Sequence, residues 1–285
     1  MKGPAIKNIN FILLLSLTIS CLHCDASKNN SANNFNRKII KVVKLPSSLD
    51  EVSGITFSSE GNLFCHNDES GIIFQLDTLT GKLVKYFQIG SWGIEADFED
   101  IAIAGERFFL ITSSGILYEF KEGTNLEKVE FKEIDLGFSS NYEIEGLCCD
   151  PETNSLLIAS KKYAGKKNKG KRAVYSFLLE TNSLVDVPRF LLSLEEIENK
   201  FGIKEFFPSA ISREPKTGNF HILSSKGGSS IIEIDNNGNL LAGFKLSNKK
   251  HPQPEGLAFT KNGKMFITDE AVNGAARITI YQTLK

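Results

Sequence analysis

Five short stretches gather the residues of this chain that could do chemistry: EVSGITF at 51–57, DFEDI at 97–101, EIEGL at 143–147, FPSAI at 207–211 and QPEGL at 253–257. In most copies an acid is followed by any residue, an acid or serine, a small or acidic residue, and a short apolar strand. Crowded carboxylates repel or take up protons unless a counter-charge joins them. Oxygen donors without thiolates, and with few histidines, favour calcium or magnesium over zinc or copper. The third-position acids Glu99, Glu145 and Glu255 are therefore the first candidate metal ligands, with Asp68 and Asp269 of the Asp68-Glu69 and Asp269-Glu270 pairs next. The competing reading is that these acids cap turns and face solvent.

Nucleophilic chemistry finds no matching pattern. There is no G-x-S-x-G elbow, phosphate-binding loop or dinucleotide fingerprint. His66, His221 and His251 each stand alone in sequence, so hydrolysis enters only through a bound metal. The run 161–172 holds seven basic residues and reads either as a solvated hairpin or as a grip for anionic lipid or phosphate.

The elements that position the acids follow from the repeat. Its fourth positions fall at 54, 100, 146, 210 and 256, in steps of 46, 46, 64 and 46 residues. A period in the forties is that of a propeller blade. The first repeat shows strands at 55–57, 63–66, 72–76 and 83–89, separated by Gly-, Asn- and Asp-containing turns, which is one four-stranded antiparallel blade. The long third step comes from two insertions, one carrying the basic run and one an amphipathic helix pattern at 191–201. The fifth repeat supplies three strands, and strand 38–45 is expected to complete it. The expected fold is thus all-β, a five-bladed β-propeller over 38–285 closed by its N-terminal strand, with the acids aimed at one end of the central channel. Lys161 and Lys226 match Glu69 and Glu270 in blades three and four and are expected to face some of them.

The apolar run 11–19 follows Lys2 and Lys7 and is too short to span a bilayer, so 1–20 reads as a signal peptide. LTISC at 17–21 resembles a lipoprotein box, making Cys21 the expected lipidation site, with Cys24 second; ordinary secretion or an uncleaved anchor are the alternatives. Residues 25–36 are Ser- and Asn-rich, so 21–37 reads as the lipidation site followed by a flexible tether. Cys65, Cys148 and Cys149 lack zinc spacing and read as small buried hydrophobes. A formal charge of −1 over 285 residues gives no reason to expect a nucleic-acid partner.

The acid-x-Glu-Gly-Leu strand starts, HNDE at 66–69, TDE at 268–270 and the five-repeat count resemble the SdiA-regulated β-propeller family of bacterial envelope proteins, over about 38–285. The resemblance implies a five-bladed, distantly NHL-like propeller with a calcium site and no settled activity. The Glu-Gly pairs at 145 and 255 are also similar to those of gluconolactonase-like propellers, which are six-bladed and use Asn and Asp partners without a counterpart placed here. The leading expectation is a non-enzymatic, calcium-binding, lipid-anchored envelope module that binds a small ligand or a protein partner. A metal-dependent hydrolase of phytase-like or lactonase-like type is the alternative, a scaffold with an incidental ion a third reading.

Overall fold

A computed structural model describes residues 1, 3, 36–272 and 274–284. Nearly all of the expected leader and of the tether, Cys21 included, lies outside them. Five antiparallel sheets make up the described chain. Blade 1 runs Val52–Phe57, Leu63–Asn67, Ile72–Leu76 and Leu83–Ile89, with the two-residue strand Lys128–Val129 added in parallel at its edge. Blade 2 runs Phe98–Ala104, Arg107–Thr112, Ile116–Lys121 and Phe131–Asp135. Blade 3 contains Ile144–Asp150, Ser155–Ser160 and Lys171–Leu178, whose outer edge pairs with both Ser183–Leu184 and Phe190–Ser193. Blade 4 is Pro208–Arg213, Phe220–Ser224, Ser230–Ile234 and Leu240–Lys245. In blade 5, Pro254–Phe259, Met265–Asp269 and Arg277–Thr283 are joined by Arg37–Lys44, which pairs antiparallel with Arg277–Thr283. The first strand of each blade touches that of the next, and Pro254–Phe259 touches Val52–Phe57, so the inner strands form a closed ring. This is a five-bladed β-propeller.

Both faces of each blade are covered, which is why its strands read as nearly unbroken apolar runs. Side chains alternate across a strand, and successive residues serve different interfaces. Phe108 packs toward blade 1 with Phe64 and Phe87, whereas Phe109 packs toward blade 3 with Leu156 and Phe177. Ile231 joins Met265 and Ile267 of blade 5, and Ile232 joins Leu157 and Val174 of blade 3. Each large apolar side chain buried in this way contributes on the order of 2 kcal/mol. The core is thus five inter-blade layers around the ring.

The structure shortens the expected 191–201 helix. Phe190–Ser193 pairs with Lys171–Leu178, and the helix covers Leu194–Phe201 alone. The open edge of that strand wins residues 190–193 from the helix. Ser193 then caps the helix, accepting the Glu196 N–H on Oγ at 3.3 Å. Gly202, with φ 68°, ends it. Cys65 and Cys148 are buried, Cys149 is half-buried, and all three are free thiols, as small hydrophobes would be.

Candidate functional site

A β-bulge recurs in all five inner strands at the same point of the repeat. Pairing to the second strand jumps from Val52 to Ile55, Phe98 to Asp100, Ile144 to Gly146, Pro208 to Ala210 and Pro254 to Leu257. The residue omitted from the ladder in every blade includes the third position of the motif: Ser53, Glu99, Glu145, Ser209 or Glu255. A bulge twists the strand and re-aims the side chain it leaves unpaired. It also orphans a backbone N–H, and side chains of the second strand take over. The Gly54 N–H donates to His66 Nε2 at 3.1 Å, and the Gly256 N–H to Thr268 Oγ1 at 2.8 Å. The serines at the third position link blades, Ser53 Oγ donating to the Glu99 carbonyl at 2.5 Å and Ser209 Oγ to the Pro254 carbonyl at 3.1 Å.

The three glutamates of that column meet around Lys161, which leaves the second strand of blade 3. Lys161 Nζ donates to Glu145 Oε1 at 2.6 Å. Burial works against its charge, but Glu145 first, then Glu255 and Glu99, outweighs it and holds the ammonium above its usual range. Burial raises both Glu99 and Glu145, which hydrogen-bond to each other. Glu145 has Lys161 to stabilise its charge, so Glu99 keeps the proton and donates it toward Glu145. Burial, then Glu145 and Glu270, push Glu255 to about 8 against Lys161 and a hydrogen bond from Ser225. Glu270, bonded by Gln253 Nε2, is raised to about 7 by burial and by Asp68, Glu51 and Glu145.

Asp68 extends the cluster on the blade 1 side. Burial and the neighbouring Glu51, Glu69 and Asp97 raise its carboxyl, and its buried Oδ1 has no hydrogen-bond partner. Glu51, Glu69 and Asp97 are exposed, and Glu143 is engaged by Lys162 at 2.5 Å.

Two expected members of the acid ring are turned elsewhere. Asp269 is fully buried and bonds His251 Nδ1 at 2.8 Å, with Arg277 Nε at 3.7 Å; His251 Nε2 in turn meets the Tyr281 hydroxyl at 2.6 Å. Its neighbour Thr268 reaches the Ser53 carbonyl at 3.2 Å, so strand alternation sends Asp269 to the opposite face. Asp100 is buried between blades, where its carboxylate accepts the N–H groups of Ile101 at 2.8 Å and Leu147 at 2.7 Å. Lys226 stands over the Phe207 ring at 5.9 Å. The basic run is anchored at both ends: Lys161 enters the acid cluster, and buried Arg172 donates to the carbonyls of Phe206 at 2.8 Å and Lys162 at 3.1 Å.

At the opposite rim the acids are matched by arginines. Asp150 meets Arg189 at 2.8 Å and Arg213 at 3.6 Å, and Glu214 meets Arg37 at 2.8 Å. At this rim the channel opens through a cavity of about 570 Å³ that reaches from the turns after the inner strands to Ile55, Ile101, Leu147, Ile211 and Leu257, one from each blade. Asp150 and Glu214 thus each have an arginine, whereas the channel-mouth glutamates Glu99, Glu145 and Glu255 share Lys161. The donors fit a hard cation in chemistry and in the unpartnered Asp68 oxygen. Among the described residues, no three of them bring donor atoms within 4.8 Å of one another, as a closed cage would.

The fold and this lopsided rim define a five-bladed propeller with an acidic channel mouth. The sequence pattern of the SdiA-regulated family matches residues 28–273, and the chain belongs to that family. Solved structures share the fold at low identity. A glutaminyl cyclase from Myxococcus xanthus superposes with a TM-score of 0.56 at 15% identity, covering 86% of this chain and 95% of that one. A PQQ-bound aldose sugar dehydrogenase from Streptomyces coelicolor gives 0.56 at 11% identity, covering 86% and 97%. A luciferin-regenerating enzyme gives 0.54 at 13%, covering 86% and 95%. No curated protein matches by sequence.

Proposed function

We propose that the channel mouth is a calcium-binding site and that the protein is a binding module rather than an enzyme, exported and held at the cell envelope through Cys21, where the rim receives a small ligand or a protein partner. One observation carries this reading. Four desolvated carboxylates, Glu99, Glu145, Glu255 and Glu270, share a single ammonium, Lys161; it keeps Glu145 ionised, while Glu99, Glu255 and Glu270 are pushed toward protonated forms whose protons a divalent cation would displace.

Glu99, Glu255 and Glu270, with Asp68, would hold the ion, while Glu145 stays with Lys161. Their wide spacing suits an ion that keeps part of its water, and the vacant coordination positions are where a ligand's oxygens would bind. Calcium titration calorimetry at pH 7.5 and 5.5 tests the site. The expected result is millimolar or tighter binding at pH 7.5 that weakens at pH 5.5, because protons compete for the same oxygens. Absence of heat and of any thermal stabilisation at millimolar calcium would sink it.

A further inference from the structure

A different cluster lies at the opposite rim. Among the described residues, Glu214, His221 and Glu233 are the one group of three His, Cys, Asp or Glu side chains whose donor atoms all lie within 4.8 Å. The fold brings them together on the face of blade 4 turned to blade 5. Glu214 opens the turn after Pro208–Arg213, and His221 and Glu233 sit directly opposite each other on the second and third strands. The imidazole packs on Phe259 of blade 5, with ring centres 4.8 Å apart.

Each carboxylate has one oxygen fixed and the other turned to the imidazole. Arg37 Nη2 donates to Glu214 Oε1 at 2.8 Å, and Asn219 Nδ2 to Glu233 Oε1 at 2.6 Å. The two Oε2 atoms stand 3.9 and 3.8 Å from His221 Nε2, too far for hydrogen bonds. Thr217 Oγ1 makes one long contact to Glu214 Oε2 at 3.4 Å. His221 is 3% exposed, and its other ring nitrogen, Nδ1, is buried without a hydrogen-bond partner. A buried imidazole in that state is rare, because buried polar groups are nearly always bonded. Burial and Arg37 also hold it neutral, down to about 3, so its lone pair is free for coordination and it forms no ion pair with the glutamates.

We propose that Glu214, His221 and Glu233 bind a first-row divalent transition ion, with Zn²⁺ as the fitting class. Imidazole nitrogen with two carboxylates is a borderline donor set, unlike the all-oxygen channel mouth. Two donors each about 2.1 Å from one ion are at most about 4.2 Å apart; the two separations from His221 Nε2, 3.8 and 3.9 Å, satisfy this, and the carboxylate oxygens lie within 4.8 Å of each other. Arg37 and Asn219 orient the two carboxylates from behind, as outer partners of metal ligands do. Arg37 also donates to the Gly263 carbonyl at 2.9 Å and begins the strand that pairs with Arg277–Thr283. The ion therefore ties blade 4 to blade 5 and to the N-terminal strand.

Cobalt substitution reads the site directly. Co²⁺ added to the full chain should give a visible d–d absorption band, and Zn²⁺ should displace it and raise the melting temperature. Cys21, His23 and Cys24 offer donors of their own, so the difference between wild type and variants is the measurement. His221→Ala and the half-exposed Glu233→Gln, each checked for a native circular-dichroism spectrum, should lose the band and weaken Zn²⁺ binding at least roughly tenfold. Glu255→Gln at the far rim should keep both. A Zn²⁺ affinity unchanged in His221→Ala and Glu233→Gln, or a wild type without band or stabilisation, overturns the proposal. Should His221→Ala fail to fold, Glu233→Gln alone decides.

Discussion

Lys161 Nζ lies 2.6 Å from Glu145 Oε1, with Glu255 and Glu99 also acting on its ammonium. It occupies the place a cation would take and keeps Glu145 ionised. Lys161→Met should leave Glu145 buried and unpaired, costing about 2 kcal/mol at pH 7.5, below the full buried-pair penalty because Lys161 keeps some contact with water. The deficit should shrink toward pH 5 as the stranded carboxylate takes a proton. Urea unfolding of wild type and variant at both pH values measures it; a deficit independent of pH would mean that the pair acts by packing alone.

The raised carboxyls make stability depend on pH with a definite sign. Glu255 and Glu270 titrate near 8 and 7 in the folded chain against an ordinary value of 4.5. Between those limits the folded state holds protons that the unfolded state has released, so stability is full below about pH 4.5 and is lost as pH rises toward 8. For Glu255 the slope is about 1.4 kcal/mol per pH unit at most. Glu255→Gln should flatten the curve measured by denaturant unfolding from pH 5 to 8.5, and saturating calcium should flatten that of the wild type. Parallel wild-type and variant curves would place the proton uptake elsewhere.

The blades were legible because the repeat carries two signals at once, apolar runs at strand length and Gly, Asn and Asp at the turns. Lys161 was legible too, by its match to Glu69 and Glu270 in the first and fifth repeats. The bulges were not, since a bulge depends on which residues pair across the hairpin and leaves no mark on composition. Asp269 was misplaced for want of a parity argument: it alternates with Thr268 and Glu270 and so cannot share their face. His251, its partner, lies in the connection between blades, where no periodicity applies. Glu214, His221 and Glu233 are 7 and 12 residues apart in sequence. Only the strand register sets His221 opposite Glu233 and folds Glu214 back over both.

Catalysis by the channel mouth has its own readout. A metal-dependent hydrolase would use the ion to polarise an oxyanion and activate water, and the same carboxylates would be needed for turnover. A panel of phosphate esters and lactones with millimolar calcium should show no rate above buffer for wild type, Glu145→Gln or Glu255→Gln. Turnover in wild type that both variants lose would replace the binding-module reading with hydrolysis.

The repeat's glycines supply the most local test of the architecture. Gly54 sits where blades 1 and 2 meet. A Cβ there would stand 2.5 Å from Asp100 Oδ1, and 2.7 Å from both Asp100 Cα and His66 Nε2. Backbone on one side and a fully buried ring on the other leave neither neighbour free to yield. Gly54→Ala should therefore push the inner strands apart, breaking the Gly54 N–H to His66 bond and disturbing the Asp100 bridge to Leu147, at a cost of about 3 kcal/mol. Gly61→Ala, in an exposed turn with φ 88° and open space around it, should cost only about 1 kcal/mol of backbone strain. Thermal and urea unfolding of the two variants check the ranking. If Gly54→Ala is the milder of the two, close contact between inner strands is not what requires glycine at the fourth position of the repeat.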